Sequence, residues 1–399
     1  MPSDDHAAAG APLPPAPAPT PALPASLHMA VHDSLASVES RWREAWPRLR
    51  GTAFQSFDWV HTWYEHLGRA AGWKICIAEL RADTPDGPTV LLLPLGFRRE
   101  GLLRVMGFLG DAMLDYQAPL IDPDFARAVT PAHAARLWNG FVGVLPSMDL
   151  IRLRRLPASI DGLANPFAAL PGARHIESAH AARLPTTVAA YAAGRDSGLL
   201  ANTRRKMRRL AEAGTVRIVT RVTEPDELRR VMDALAEQKS RRWQQSGAFD
   251  AFTLPGFRAF FDRLNAGPMQ GAEAVVSALM LDERPIATHW GMRMGGTLYW
   301  LLPGYDDAYA RFSPGRLLME ALLRQCIEDG YAVFDFTAGD EPYKLQWADE
   351  HMKLYALQQS CSTLGNVALN IDRVRQFAKS MPALRRAVRR LRGRPDSAD

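Results

Sequence analysis

The stretch AVVSALMLDERPIATHWGMRMGGTLYWLLPGY, Ala274 to Tyr305, constrains the fold more than any other part of this chain. It holds three runs of apolar, aromatic and β-branched residues, separated by the pairs Asp282-Glu283 and Gly295-Gly296. Short turns of that kind join strands that lie side by side and antiparallel. A three-stranded meander is therefore expected, and other elements must cover its faces.

The covering elements are legible on both sides of it. EPDELRRVMDALAEQKSRRWQQSG is a long amphipathic helix with an acidic first turn and a basic last turn, as the helix dipole favours. LPGFRAFFDRLN is a second helix, and Thr187 to Ala213 is helical up to Gly214 as its C-cap. TVRIVTRV reads as a strand. After the meander come a helix from Ser313, the strand YAVFDF, a polar loop and the strand MKLYALQQS, which is expected to close the sheet. The first half carries helical patterns at Ser34–Arg48 and Phe57–Leu67 and a single helix over FARAVTPAHAARLWNGFVGVL. Its strands are WKICIAEL, TVLLLPLGFRR, LLRVMGFLGD, YQAPLID and MDLIRLRRL.

With 399 residues the chain is too long for one typical core. The expected organisation is an Ala/Pro-rich tether at 1–27, an α/β lobe at 28–185, a second of similar design at 186–365, and a basic tail at 366–399. No sequence repeat links the two lobes. The net charge of +5 is uneven: Ile371 to Asp399 carries nine Lys/Arg against three Asp, which leaves the remainder near −1. Such a body is not a nucleic-acid-binding surface. Cys76, Cys326 and Cys361 have neither paired nor CxxC spacing, so neither a disulfide framework nor a zinc site is expected. The N-terminus lacks the basic and apolar regions of a secretory signal, and no apolar run reaches the ~20 residues of a membrane span. The reading is a cytoplasmic protein, with the tail offering a peripheral contact to anionic lipid of the inner membrane.

Motifs exclude more than they include. GxSxG, Walker A, GxGxxG and HExxH are all absent, so hydrolase, NTPase, dinucleotide oxidoreductase and zinc-protease readings lack their chemistry. Ser313-Pro314-Gly315-Arg316 opens a helix, with Ser313 as N-cap and Pro314 at its first position. Gly315 is not explained by capping, since glycine weakens a helix by up to ~1 kcal/mol relative to alanine. A glycine there lets an anion approach bare N–H groups, with Arg311 and Arg316 alongside. Pro303-Gly304 either ends a strand or forms a bulge that splays two strands and admits a cofactor arm. Asp335 sits in a central strand, where a carboxylate is either ion-paired or a base of raised pKa. Asp340, Glu341, Tyr343 and Lys344 follow, as a solvated turn or as a ligand site at a strand's C-terminal end. Arg204, Arg205, Lys206, Arg208 and Arg209 form either a solvated face or an anion-facing one. Arg205, Arg208, Trp243 and Tyr305 are the candidates for contact with substrate.

YDDAYARFSPGRLLMEALLRQCIEDGYAVFDFTAGDEPYKLQWADE resembles the signature region of CelD-type, cellulose-biosynthesis-associated acyltransferases. These belong to the GNAT superfamily and are related to FemAB-type aminoacyltransferases. FQSFDWVHTWYEHLG, MGFLGDAMLDYQAPLID, NTRRKMRRLAEAG and QKSRRW extend the resemblance over roughly residues 30–360. It implies an α/β (α+β) fold of two tandem GNAT-like lobes, each a mixed, mostly antiparallel sheet flanked by helices. It also implies acetyl-CoA or another acyl-CoA as co-substrate, no metal, and a small-molecule or glycan-precursor amine as acceptor in polysaccharide or cell-envelope metabolism. Arg311, Ser313, Gly315, Arg316 and Gly304 are the implied CoA contacts, although RFSPGR has one glycine where the family's pyrophosphate loop has two. Asp335 or Asp340 is implied as base, Lys344 as oxyanion donor and Tyr343 as acid toward the leaving thiolate. The alternatives are an aminoacyl-tRNA-dependent transferase of FemAB type and a non-catalytic accessory protein of exopolysaccharide synthesis.

Overall fold

The structure, a computed structural model, describes residues 21–380. The expected tether, apart from its last few residues, and the tail beyond residue 380 lie outside them. In the first half the elements are β1 (Leu27–His32), α1 (Glu39–Ala45), α2 (Phe57–Trp63), β2 (Lys74–Ile75), β3 (Ile77–Ala82), β4 (Thr89–Leu93), β5 (Leu95–Glu100), β6 (Leu103–Phe108), β7 (Leu120–Ile121), α3 (Pro123–Ala128), α4 (Pro131–Val144), β8 (Leu150–Pro157), β9 (Ser159–Ile160), β10 (Leu163–Ala164) and β11 (Arg174–Arg183). The second half follows with α5 (Val188–Ala193), α6 (Ser197–Ala211), β12 (Val216–Val219), α7 (Pro225–Ser246), α8 (Phe257–Asn265), β13 (Ala272–Leu281), β14 (Arg284–Met294), β15 (Thr297–Tyr305), α9 (Pro314–Glu328), β16 (Val333–Ala338), α10 (Pro342–Trp347), β17 (Glu350–Ser360) and α11 (Thr363–Ser380).

Local chemistry explains the strongest elements. In α7 the Glu224 carboxylate accepts from the N–H groups of Asp226 and Glu227 at 3.1 and 2.7 Å, Pro225 opens the first turn, and Gly247 ends it at φ 68°. The meander forms as expected, with β13, β14 and β15 antiparallel. Asp282 and Glu283 both have positive φ, the conformation whose twist matches a two-residue hairpin.

Four expectations change. The helix expected over 125–145 is two helices: Thr130 precedes Pro131, which disfavours helical backbone there, and its hydroxyl caps the second helix at His133 N–H, 3.3 Å. WKICIAEL and TVLLLPLGFRR each serve two sheets, changing over at Cys76 and Pro94. The helix expected through Thr187–Ala213 breaks between α5 and α6. MKLYALQQS, within β17, does not close an edge but lies between β11 and β8. In addition, α11 occupies 363–380, where the start of a tail is expected.

One sheet of eleven strands, ordered β12-β13-β14-β15-β16-β11-β17-β8-β6-β5-β2, runs through both halves. Its neighbours are antiparallel except β15/β16 and β6/β8. Each half thus contains the same device: a hairpin (β5–β6 or β14–β15), a helical crossover, and a return strand parallel to the hairpin's second member. The result is the mixed α/β fold expected from sequence, with mostly antiparallel sheets flanked by helices. A second sheet, β1-β3-β4-β7, belongs to the first half alone.

The halves share a core. Trp59 of α2 meets Phe260 of α8 edge to face at 5.4 Å, and Phe54 meets Tyr299 of β15 at 6.2 Å. Aromatic pairs of this geometry add about 0.5–1.5 kcal/mol each beyond the area they bury. A separate core, with Trp300, Phe334, Phe336 and Trp347, lies under α9.

Candidate functional site

The site is built around a parting of strands. β15 pairs with β16 only from Thr297–Tyr299 to Val333–Asp335; beyond that the two separate, while β15 continues along β14 to Tyr305. At that point β15 carries a bulge: Trp300 and Leu301 together oppose the single residue Gly291 of β14, between the pairs Trp290–Leu302 and Met292–Tyr299. Gly291 sits there because a Cβ would lie 2.3 Å from the Tyr299 carbonyl oxygen. The irregularity is therefore in β15 itself, at Trp300-Leu301 opposite Gly291, and not at Pro303-Gly304, which stay in register with His289 and Thr288. Gly304 remains paired with Thr288, and its missing side chain makes room for Gln238, whose Oε1 accepts from the Thr288 hydroxyl at 2.7 Å.

On one side of the parting lies the N-terminus of α9. Ser313 has left-handed backbone (φ 52°, ψ 54°), and its carbonyl accepts from the Arg316 and Leu317 N–H groups. Its hydroxyl does not cap the helix, as the sequence suggested; it accepts from Lys206 Nζ at 2.5 Å. Arg205 and Arg316 lie close enough to Lys206 that, after burial, they lower its pKa. Arg209 and Arg311 line a depression of about 400 Å³ nearby. Among the described residues no ion pair joins Arg205, Lys206, Arg209, Arg311 or Arg316 to a carboxylate, although Arg217, Arg241, Arg284 and Arg324 each have one. Five cations that form no ion pair thus gather around the N-terminus of α9, with Glu212 also on the wall of the depression, an arrangement that attracts anions. A Cβ on Gly315 would meet only the Tyr305 ring, at 3.7 Å, so internal packing does not require glycine there.

On the other side lies Asp335, buried, facing a cleft of about 950 Å³ with Tyr116, Tyr299, His180 and His351. Burial raises its pKa to about 7, against two hydrogen bonds that favour the ionised form. One comes from the Tyr116 hydroxyl, 2.8 and 3.0 Å from the two carboxylate oxygens. The other is the Thr337 N–H at 2.7 Å, aimed by a backbone φ of 61°, which is strained for a β-branched residue. No cation pairs with Asp335 among the described residues, which leaves the base reading of this carboxylate standing. Beside it, Asp115 is paired with Arg155 at 2.8 Å, and Arg155 also holds Glu177. Burial pushes the Asp115 pKa up, and Arg155 opposes that.

The remaining sequence candidates divide among distinct places. Asp340 is exposed and accepts from His180 Nε2 at 3.0 Å; His180 Nδ1 lies 2.7 Å from His351 Nδ1. A carboxylate only accepts, so His180 carries its proton on Nε2 and, when neutral, accepts at Nδ1. His351 then donates from Nδ1 to His180. Lys344 is buried, with Ala338 O at 2.6 Å, Thr337 O at 3.5 Å and Glu341 at 2.9 Å around its ammonium. Its three hydrogens are thereby engaged in holding the end of β16, so it positions the site and does not reach out to an oxyanion. Tyr343 packs against the core beneath α9, on the opposite side of β16 from Asp335, and burial keeps it protonated well above its ordinary range. Tyr305 is exposed beside Gly315, Trp243 lies in an aromatic cavity with Lys239 over its ring at 5.0 Å, and Arg208 has only an exposed place on α6.

Tyr116, Tyr299, His180 and His351 were not singled out from sequence. His180 and His351 meet only as cross-strand partners of β11 and β17, 171 positions apart, and no spacing motif signals that. Among the described residues no cluster of three or more His, Cys, Asp or Glu is arranged to hold a metal, and no helix is long and apolar enough to cross a membrane.

Comparison with known proteins finds a likeness in the second half. Residues 197–345 match the acetyltransferase (GNAT) domain. The match spans α6 through the first turn of α10, and so contains both the cation cluster and Asp335. No curated protein matches the chain. A crystal structure of FemX superposes over 82% of this chain and 96% of its own, with TM-score 0.50 and 11% identity, a likeness of fold. The C-terminal domain of a putative lysylphosphatidylglycerol synthetase from Agrobacterium fabrum covers 86% of this chain and 96% of its own (TM-score 0.46, 14% identity). A tandem GNAT protein from the clavulanic acid biosynthesis pathway covers 84% and 99% (TM-score 0.42, 13% identity).

Proposed function

We propose that this chain is an N-acyltransferase that takes its acyl group from a CoA thioester and passes it to an amine. One observation carries the reading: β15 and β16 part between a cluster of cations that form no ion pair, at a helix N-terminus, and a buried carboxyl whose pKa is raised to about 7. Arg205, Lys206, Arg311, Arg316 and the Gly315 N–H hold the phosphates of CoA, and its thioester arm enters the parting. The acceptor amine arrives through the 950 Å³ cleft.

The chemistry then balances with groups already in place. The amine nitrogen forms a bond to the thioester carbonyl carbon, and ionised Asp335 takes a proton from it, a base whose pKa is matched to neutral solution. The carbon–sulfur bond breaks as the tetrahedral intermediate collapses. The thiolate leaves with a proton from Tyr343, on the opposite side of β16, and Tyr343 regains a proton from solvent once the thiol has departed, which closes the balance. His351, held in one tautomer by His180 and Asp340, receives the proton that Asp335 passes on toward solvent. The first half is read as a lobe of the same design that closes the acceptor side. We read the acceptor as a small-molecule or glycan-precursor amine, on the resemblance to CelD-type enzymes alone.

Gly315 gives the test. Acetyl-CoA binding is measured by calorimetry for wild type, Gly315→Ala and Gly315→Asp. The alanine methyl has room and binding persists, whereas the aspartate sets a charge against phosphate and weakens it at least tenfold. Equal binding by wild type and Gly315→Asp removes the phosphate site. Salt-sensitive tRNA binding without affinity for any CoA ester would favour the aminoacyl-tRNA reading instead.

A further inference from the structure

A second cavity, of about 670 Å³, lies between the two halves and has no part in the steps above. Its wall is largely aromatic, with Trp59, Trp63 and Trp73 from the first half and Trp243, Phe257 and Phe261 from the second. Few of its lining groups are charged. Arg98 is one, and it lies over the Trp73 ring at 5.0 Å with its charge met by Asp111 at 3.2 Å. Two lining residues, Phe249 and Leu254, are 67% and 42% exposed, so large apolar side chains stand in water at its edge. Leu301 and Leu302 also line it, two and three residues beyond Tyr299, the last β15 residue paired with β16. The cavity therefore reaches β15 just past the point where it parts from β16, the place assigned above to the thioester arm.

Size and chemistry decide what fits. Folded interiors contain few voids larger than a water molecule, and a volume in the range of about 300–1,000 Å³ is that of a ligand pocket. An acetyl group would leave nearly all of it empty, and a polar acceptor would find few partners on an aromatic wall. We propose that this cavity takes the hydrocarbon chain of the donor, so that the group transferred is a long-chain acyl group. The inference rests on the thioester-donor reading and adds the identity of the acyl class.

The test is a chain-length series. Dissociation constants of acetyl-, octanoyl- and dodecanoyl-CoA are measured by calorimetry on the full chain, below the concentrations at which the esters form micelles. Each fully buried methylene tightens binding about fourfold, so octanoyl-CoA should bind at least a hundredfold more tightly than acetyl-CoA. Ala251→Trp, which fills the wall, should flatten the series to less than tenfold. Ala70→Trp, at an exposed wall position, does the same if Ala251→Trp does not fold. A flat series in the wild type overturns the chain site while leaving the donor reading intact. A flat series with tight binding of dodecylamine assigns the cavity to a lipid acceptor and overturns the proposal. If no CoA ester binds, both readings fall.

Discussion

Replacing Tyr116 by phenylalanine removes one oxygen and tests the electrostatics of Asp335 directly. The Tyr116 hydroxyl donates to a buried carboxylate at 2.8 and 3.0 Å. A hydrogen bond to a charged group contributes about 1.5–3 kcal/mol, and one pKa unit corresponds to 1.36 kcal/mol. The bond favours the ionised form, so its loss raises the pKa by about 1–2 units, starting from about 7. The protonated carboxyl band of Asp335 in the infrared, identified by its absence in Asp335→Asn, should therefore titrate near 7 in wild type and about 1–2 units higher in Tyr116→Phe. Stability supplies a second readout. The folded pKa lies above the ordinary carboxylate value, so the folded state holds an extra proton between roughly pH 4 and pH 7. Stability consequently falls as pH rises through that window, by up to about 1.4 kcal/mol per unit. Tyr116→Phe extends the decline to higher pH, and Asp335→Asn abolishes it. An Asp335 band that titrates near pH 4 in wild type, or that does not move in Tyr116→Phe, would refute the reasoning.

Two further outcomes follow from buried and strand-bound groups. Glu79 is fully buried and held by Arg41, Arg81, His32 and Thr89, which together push its pKa far below the usual carboxylate range against the cost of burial. Glu79→Gln should cost about 3–5 kcal/mol in chemical denaturation at neutral pH; because the folded pKa is depressed, the difference from wild type should shrink as pH falls below about 4. His180→Phe should release His351 from its single neutral tautomer, so that nitrogen NMR at a pH where the ring is neutral finds a mixture of Nδ1–H and Nε2–H forms where the wild type favours Nδ1–H.

Much of the second half was legible in sequence because its signals are local. The meander, α7, α9 and the strand that carries Asp335 follow from turn chemistry, capping and apolar periodicity over a few residues. What could not be read was partnership between distant segments. Asp335 was seen as a buried carboxylate, but its hydrogen-bond donor Tyr116 lies 219 positions away. Ser313 was read as an N-cap, yet its left-handed backbone and the approach of Lys206 from α6 turn its hydroxyl to other use. Gly304 was drawn toward the cofactor by its place before α9, whereas side chains of α7 and β14 fill the space above it. A splaying bulge was one of the two readings of Pro303-Gly304, and the bulge lies on the same strand a little earlier, at Trp300-Leu301, where nothing in the local sequence marks it.

The position of β11 bears on how the chain is made. It is synthesised before the second half, yet both its neighbours, β16 and β17, come from the end of that half. At synthesis rates of about 5–20 residues per second, the stretch between Arg183 and Val333 takes roughly 8–30 seconds to emerge. Throughout that time β11 has no sheet partner, and its hydrogen-bonding edges stand open to wrong pairings or to a chaperone. A fragment beginning at residue 186 would lack the strand altogether, leaving a gap between β16 and β17. The second half therefore depends for its completion on a strand made long before it, and the order of translation becomes part of the folding problem.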